Sequence, residues 1–276
     1  MILSISKRVD MLSQQPDYIN QIFKQGYIDL YYKSKDTSCN IERKYLNKNT
    51  IDGIVFFSKN PYKFLEKNEI LSILEEIPHY YQITINSYQQ DLEPNIDSKL
   101  DAILPFIRLW SDILKPGMLV WRYDPIFLSS KYTVDYHIES FELIAEQLSG
   151  YTDTCILGLL LNSSETMMHC YENLGIRSLT EPEMSDLFGK LIEIGNKYGI
   201  KLQICDINNP EQYGLQAASC IDIKRLERLK GYPILLQEHS KSLCNCAPHI
   251  DISNIQYCSV GCKYCYANPD NNAAKN

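Results

Sequence analysis

Residues 180–205 read TEPEMSDLFGKLIEIGNKYGIKLQIC, and this stretch decides the fold. Thr180 and Glu183 stand at the T-x-x-E spacing of a capping box, in which the two side chains satisfy orphan backbone N–H groups at a helix start. From Glu181 to Tyr198, the residues Met184, Leu187, Phe188, Leu191 and Ile194 recur at helical intervals and line one face. Gly199 occupies the position of a C-terminal cap. The short apolar run Lys201–Cys205 follows at once and reads as a strand. A capped helix feeding directly into a strand is the rhythm of βαβ crossovers and so of a parallel sheet.

The same rhythm extends outward. Ile2–Ser6, Ile54–Phe57, Tyr80–Ile85, Leu119–Tyr123, Cys155–Leu161 and Ile234–Gln237 read as further strands. Several are nearly continuous in apolar character, as expected when both sheet faces are covered. Lys99–Leu114, with Leu100, Ile103, Leu104 and Ile107, reads as another helix. Seven such strands, or eight, in 276 residues predict an α/β protein with a TIM-like (β/α) barrel, complete or partial. An open doubly wound sheet is the alternative. The expected layout is a barrel body over 1–241, a cysteine-rich segment over 242–268 packing on the barrel mouth, and a polar tail over 269–276.

Apolar residues make up 45% of the chain and charged residues 22%, enough for a core that needs no disulfide or metal staple. The formal net charge of −7 disfavours nucleic acid as a partner. No signal-peptide pattern opens the sequence and no apolar run reaches membrane-span length, so a cytoplasmic location without membrane contact is expected. Thiols stay reduced there, and ten cysteines then point to metal or redox chemistry.

Three of them form Cys258-x-x-x-Cys262-x-x-Cys265. Three thiolates hold three irons of a cubane and leave the fourth without a protein ligand, open to a small molecule. Gly261 suits the tight wrap of such a loop. Tyr264 stands where an aromatic ring can pack beside a bound adenine. The motif resembles that of the radical S-adenosylmethionine superfamily. The resemblance implies a [4Fe–4S] cluster, S-adenosyl-L-methionine as cofactor, and its reductive cleavage to a radical that abstracts hydrogen from substrate. The motif normally follows the first strand, whereas here it lies near the end of the sequence. A Gly-Gly-Glu segment for the methionine amino group is also missing. A permuted arrangement, or a cluster without radical chemistry, fits these departures; a zinc knuckle is the remaining reading of the cysteines.

Cys205, Cys220, Cys244 and Cys246 form a second candidate metal set, suited to an auxiliary [4Fe–4S] cluster or a structural zinc. Cys205 and Cys220 also read as small buried apolar residues. Cys39, Cys155 and Cys170 have no partner by spacing.

Further blocks extend the likeness along the chain. They are Ser4–Arg8 with Asp10, Phe57–Pro61, Thr84–Tyr88 leading to Glu93-Pro94-Asn95, Trp121–Ile126, Lys131-Tyr132-Thr133 with Tyr136-His137, Cys205, Cys220-Ile221-Asp222, the pair Cys244-Asn245-Cys246, and Gly261–Asn268. With these the chain resembles domain-of-unknown-function family 1848. That resemblance implies a barrel-like body with a radical-type cysteine cluster at the C-terminus, and no known substrate. The chain departs from the family at Val9, where Thr is usual, and in the apolar run Leu159–Leu161.

Many of these polar residues sit where expected strands end. Arg8, Lys59, Arg122, Asp124 and Asp206 are expected to ring one barrel mouth, because burying them unpaired would be costly. Arg122, Asp124 and Lys59 are the candidate catalytic residues. Tyr264, Arg8, Asn60 and Arg122 are the candidate cofactor contacts, with Arg122 suited to a carboxylate in bidentate fashion. Arg122–Asp124 as a structural pair and Lys59-Asn60-Pro61 as a plain strand-to-helix turn are the bland readings. His137 reads as a satisfied histidine, and His249 as weak evidence for a metal.

The expected function is a radical S-adenosylmethionine-type enzyme acting on a small, anionic substrate, with an electron donor such as a ferredoxin or flavodoxin. The alternatives are a non-radical iron–sulfur protein for electron transfer or redox sensing, and a zinc-stabilised binding protein.

Overall fold

The computed structural model describes residues 1–33, 39–67, 69–160, 165–205, 207–235, 245–253, 255 and 257–268. Ten strands are present among them: β1 Ile2–Ile5, β2 Tyr27–Lys33, β3 Cys39–Tyr45, β4 Gly53–Ser58, β5 His79–Thr84, β6 Leu119–Ile126, β7 Thr154–Leu159, β8 Lys201–Cys205, β9 Gln216–Ala217 and β10 Ile250–Ile252. Eight of them form one sheet in the order β10-β1-β4-β5-β6-β7-β8-β9, and every pairing in it is parallel. β2 and β3 make a separate antiparallel ribbon.

Helices carry the chain back between the parallel strands. The helix Glu181–Lys197 starts on the expected capping box: Glu183 accepts from the Thr180 N–H at 2.9 Å and the Thr180 hydroxyl at 2.8 Å. Leu187, Phe188, Leu191 and Ile194 are buried, and Gly199 takes φ +71. The Lys99–Leu114 stretch is helical but broken: a π-helical turn, Lys99–Ile103, leads into an α-helix, Leu104–Ser111. Pro105 has no N–H to donate to the turn before it, which disrupts the α-helical ladder there. Leu100, in the π-helical turn, is 50% exposed.

Alternate residues divide between the two sheet faces, as the strand period demands. Leu3, Phe56, Tyr81, Ile83, Trp121, Tyr123 and Leu157 lie in the large core under the helices. Ile2, Val55, Tyr80, Val120, Ile156 and Cys205 form a second core with Cys220, Ile221, Leu226 and Cys246. In a flat sheet β5 and β9 would lie about 19 Å apart, at about 4.8 Å per strand. Yet the Tyr80 hydroxyl, on β5, donates to the Cys220 carbonyl, just past β9, at 2.9 Å. The sheet curls around this second core.

The curl stays open among the described residues. No ladder joins β9 to β10 among the described residues. Two hydrogen bonds bridge the gap instead: Ala247 N–H to Ile221 O at 3.0 Å and Ser219 Oγ to Asn245 O at 3.0 Å. The helix Ile223–Lys230 plugs the N-terminal end of the strands. Its buried Arg225 donates to Gly117 O at 2.7 Å and Thr154 Oγ1 at 2.8 Å, while Leu226 fills the space over Gly53.

The strand expected at Ile234–Gln237 is not present at Ile234 and Leu235, and Leu236 and Gln237 lie outside the described residues. Ile234 owes its apolar character to the second core rather than to a ladder. The sheet is completed by β9 and β10. β10 comes from the cysteine-rich segment and pairs with β1, so part of that segment is built into the sheet. The 241/242 boundary and the tail 269–276 lie outside the described residues. No described helix is long and apolar enough to cross a membrane.

Candidate metal centre

The C-terminal ends of β1, β4 and β5 meet under the three-cysteine loop. Asp10, just after β1, is buried and caps the short helix Met11–Gln14 by accepting from Ser13 N at 3.1 Å. The same carboxylate accepts from Ser58 Oγ at 2.8 Å and Lys59 N at 2.7 Å, tying β1 to β4. Burial raises its pKa, and these hydrogen bonds oppose the rise.

Glu93 is the hub. It is 1% exposed and lies on the loop after β5. Lys59 Nζ donates to its Oε1 at 2.9 Å, Lys99 Nζ lies 2.5 Å from its Oε2, and Asn86 Nδ2 reaches Oε1 at 3.2 Å. The Tyr264 hydroxyl, from the cysteine loop, also donates to Oε1. Burial opposes the charge on Glu93, but the two ammoniums and these donors outweigh it and hold the carboxyl at about 2. Burial likewise opposes the Lys59 ammonium, and the Glu93 charge more than reverses that, so Lys59 is raised. Lys99 is lowered, by burial first, and it further donates to Asn86 Oδ1 at 3.0 Å.

The loop is anchored on both sides of each cysteine. Gln14 Nε2 donates to Cys258 Sγ at 3.0 Å, while Gln14 Oε1 accepts from Ser259 N at 2.8 Å. Lys263 N donates to Leu92 O at 2.9 Å, and Asn268 Nδ2 donates to Cys262 O at 3.2 Å. Gly261 takes φ +72, and a Cβ there would lie 2.9 Å from Asn95 Nδ2. Cys262 is buried, with its Sγ 4.0 Å from Glu93 Oε1. Burial pushes the Cys262 thiol up to about 12 and raises Cys265; Cys258 raises both further, Cys265 also raises Cys262, and Lys59 pulls both down. The Cys262 and Cys265 thiols therefore share the field of one partly buried ammonium, Lys59. Cys170, on the helix Glu165–Asn173, joins them by donating to Lys263 O at 3.2 Å.

No three described His, Cys, Asp or Glu side chains converge on a position for one metal ion. A cubane makes a different demand, because its thiolates bind different irons. The residues suit such a cluster: one wrapped loop with a glycine in the left-handed region, three thiols, and a partly buried cation near two of them.

The expected ring at the mouth divides into separate contacts. Arg122 is buried in the curl, paired with Asp124, and donates to Gln82 Oε1 at 2.9 Å and Cys220 Sγ at 3.2 Å. Its terminal nitrogens are thus engaged within the protein. Asp124 lies over Gly158, where a Cβ would overlap its carboxylate. Arg8 is exposed and lies against Tyr266. Asn60 turns to Asp97 at 3.0 Å and accepts from Tyr62 N at 3.2 Å, the plain turn role. Asp206 lies outside the described residues.

Tyr264, the expected adenine neighbour, is enclosed by other rings. It is 4% exposed, with its ring 5.5 Å from Tyr88, 5.3 Å from Phe127 and 6.0 Å from Lys59 Nζ. It anchors the cysteine loop in an aromatic wall. His137 is a core histidine, held between Tyr123 Oη at 2.8 Å and Phe127 O at 2.8 Å. Burial pulls it down to about 4. His249 contacts its local carbonyl Ala247 O at 2.9 Å.

Of the second cysteine set, Cys205 and Cys220 touch, Sγ to Sγ at 3.0 Å, and Cys246 shares their core. Cys244 lies outside the described residues. Nothing in the sequence marked Gln14, Lys99 or Cys170 as site residues, since each acts through a contact with a distant loop. Glu93 stood out only as part of a family block.

Beside the hub, a cavity of about 700 Å³ opens between the loop after β5 and the helix Val134–Leu148. Asn86, Glu93 and Lys99 form part of its wall, with Lys131, Tyr136 and Glu139.

The fold and site define an α/β protein with a parallel, curled sheet and a three-cysteine loop seated on the strand ends. The chain belongs to the family described as Domain of unknown function (DUF1848), whose model matches residues 2–267. No curated protein matches it. A similar solved structure is the HpcH/HpaI aldolase from Desulfitobacterium hafniense, with 11% identity over 78% of this chain and 83% of that chain. The TM-score is 0.31, and the likeness carries no weight for function.

Proposed function

We propose that this chain is an iron–sulfur protein of the radical S-adenosylmethionine type, with a [4Fe–4S] cluster on Cys258, Cys262 and Cys265. The observation that carries the reading is the charge under the loop. Lys59 and Lys99 both pair with Glu93 beside Cys262, so two partly buried amines meet one carboxylate at contact distance, with Asp124 a further negative charge acting on Lys59. An anionic, thiolate-ligated cluster is a partner that such a cationic wall favours. The cluster, when bound, supplies electron transfer to S-adenosylmethionine at its open iron. The chain's own residues do the rest. Gln14, Asn95 and Asn268 fix the loop, Lys59 and Glu93 set the local field, and the aromatic wall of Tyr88, Phe127 and Tyr264 keeps water from that side. The substrate is proposed to be small and anionic, with reduction by a ferredoxin- or flavodoxin-type donor.

Two observations favour a second reading, a cluster for electron transfer or redox sensing. The Tyr264 ring is enclosed, and Arg122 is already paired with Asp124 rather than free for a ligand carboxylate.

Anaerobic reconstitution tests both readings. Iron and sulfide in equal amounts, lost together on Cys262→Ala, support a cluster; a colourless protein with stoichiometric zinc overturns it. Release of 5′-deoxyadenosine from S-adenosylmethionine by the reduced protein selects the radical reading. Its absence, with the cluster intact and reduced, selects the second.

A further inference from the structure

Outside the three-cysteine loop, the curled sheet encloses another pair of thiols. Cys205 ends β8, and Cys220 follows the edge strand β9. They are 4% and 6% exposed, and their sulfurs lie 3.0 Å apart. Both are held by rigid backbone. Cys205 sits in the β7–β8 ladder, opposite Gly158. The Cys220 carbonyl accepts from Tyr80 Oη at 2.9 Å and from Gln82 Nε2, while Asp222 N donates to Tyr80 Oη at 2.9 Å. A disulfide needs a sulfur separation of about 2.0 Å, so the pair lies about 1 Å from bonding distance.

The chemistry around the pair is asymmetric. Arg122 Nη1 donates to Cys220 Sγ at 3.2 Å. A cationic donor on sulfur favours the thiolate, which is the reacting form of cysteine. Cys205 lies behind it, within reach of whatever forms on Cys220. The low exposure of both thiols disfavours a bulky oxidant.

We propose that Cys205 and Cys220 are an oxidative modification site, a dithiol that a hydroperoxide converts to an intramolecular disulfide. The Cys220 thiolate attacks one peroxide oxygen, the O–O bond breaks, and with one proton taken up a sulfenic acid and water result. The Cys205 thiol then attacks the Cys220 sulfur and displaces the second oxygen as water. Overall, two thiols and one hydrogen peroxide give one disulfide and two waters, with two electrons passing to the peroxide. A dithiol reductant reverses the change. The product ties β8 to the 218–222 segment and removes the thiolate from Arg122, which keeps Asp124. This site is independent of any cluster on the C-terminal loop.

Peptide mapping of the full-length protein tests it. Trypsin releases residues 202–224 as one peptide that contains both cysteines. The reduced protein is treated with hydrogen peroxide, quenched with iodoacetamide and digested. The expected peptide is two hydrogens lighter, carries no alkyl group, and takes up two after prior reduction with dithiothreitol. In Cys205→Ser, dimedone is expected to label Cys220, and Arg122→Gln is expected to slow disulfide formation severalfold. If either variant fails to fold, the wild-type map alone decides. Full alkylation of the peptide after peroxide overturns the proposal. So does cross-linking to the peptide that holds Cys246, or stoichiometric zinc or iron that is lost on Cys205→Ser, which would make the pair metal ligands.

Discussion

Glu93 and Lys59 meet at 2.9 Å under the cysteine loop, and through them the strand ends of β4 and β5 are coupled to Tyr264 and Cys262. Glu93→Gln would leave two ammoniums with no carboxylate. Breaking a buried ion pair by removing one partner costs about 3–5 kcal/mol, and solvent access to Lys59, 18% exposed, argues for the lower end. The expected result in urea unfolding is a loss of that order, with reduced iron uptake on reconstitution. Lys59→Met should lose less stability, because Lys99 still pairs with Glu93, but more of the iron.

Acid should weaken the fold in two pH windows. His137 at about 4 and Glu93 at about 2 both lie below their ordinary values of 6.5 and 4.5. Each group therefore binds fewer protons folded than unfolded. The stability each contributes is present above its ordinary value and lost as pH falls through its folded value. His137 acts between pH 6.5 and about 4, and Glu93 between 4.5 and about 2. Each is worth on the order of 3 kcal/mol. Urea midpoints measured across this range should fall in both windows, and His137→Gln should flatten only the upper one. An unchanged upper limb in that variant would refute the assignment.

Gly261→Ala should unseat the loop. A side chain at φ +72 costs roughly 1–2 kcal/mol, and the new Cβ would meet Asn95 Nδ2 at 2.9 Å. Iron content after reconstitution should drop far more than the thermal midpoint. Adding Asn95→Ala should recover little of the loss, since it removes the clash but also the Asn95 Nδ2 hydrogen bond to Ser259 O at 3.2 Å, and it leaves the backbone strain.

Gln14→Ala removes the hydrogen bonds to Cys258 Sγ and Ser259. The expected cost is about 1–3 kcal/mol, confined to the loop. Iron should be lost to a chelator faster than from the wild type, with little change in global unfolding. Equal chelation rates would show that Gln14 has no part in the site.

Gly158→Ala places a Cβ against the Asp124 carboxylate and should push it off Arg122. Overpacking of this kind costs roughly 1–3 kcal/mol. Asp124→Ala in the same chain should relieve the clash, so the double variant should be less destabilised than the sum of the singles.

Local signals carried much of the architecture. The capping box at Thr180 and Glu183, the five-residue face that follows and the turn at Gly199 need only neighbours in sequence, so they read correctly in advance. So did six of the strands, whose apolar runs are buried on both faces. The ribbon of β2 and β3 escaped because its outer face carries Tyr31, 69% exposed, and Ile41, 61% exposed, which blurs the alternation of a half-buried strand. β10 escaped because its Asp251 is polar for a distant reason: it accepts from Ser6 Oγ at 2.9 Å and Lys7 N at 3.0 Å beside β1.

By itself, the sequence determined the parallel α/β class and the spacing of Cys258, Cys262 and Cys265, because both depend on short periods and short loops. Tertiary structure alone decided which polar residues meet. It joined Glu93 to Lys59, Lys99 and Tyr264, Gln14 to Cys258, and Cys205 to Cys220, and it turned Arg122 inward to Asp124. Buried charges and thiols must find partners wherever the curl of the sheet brings them, and that distance in space is not written in their distance along the chain.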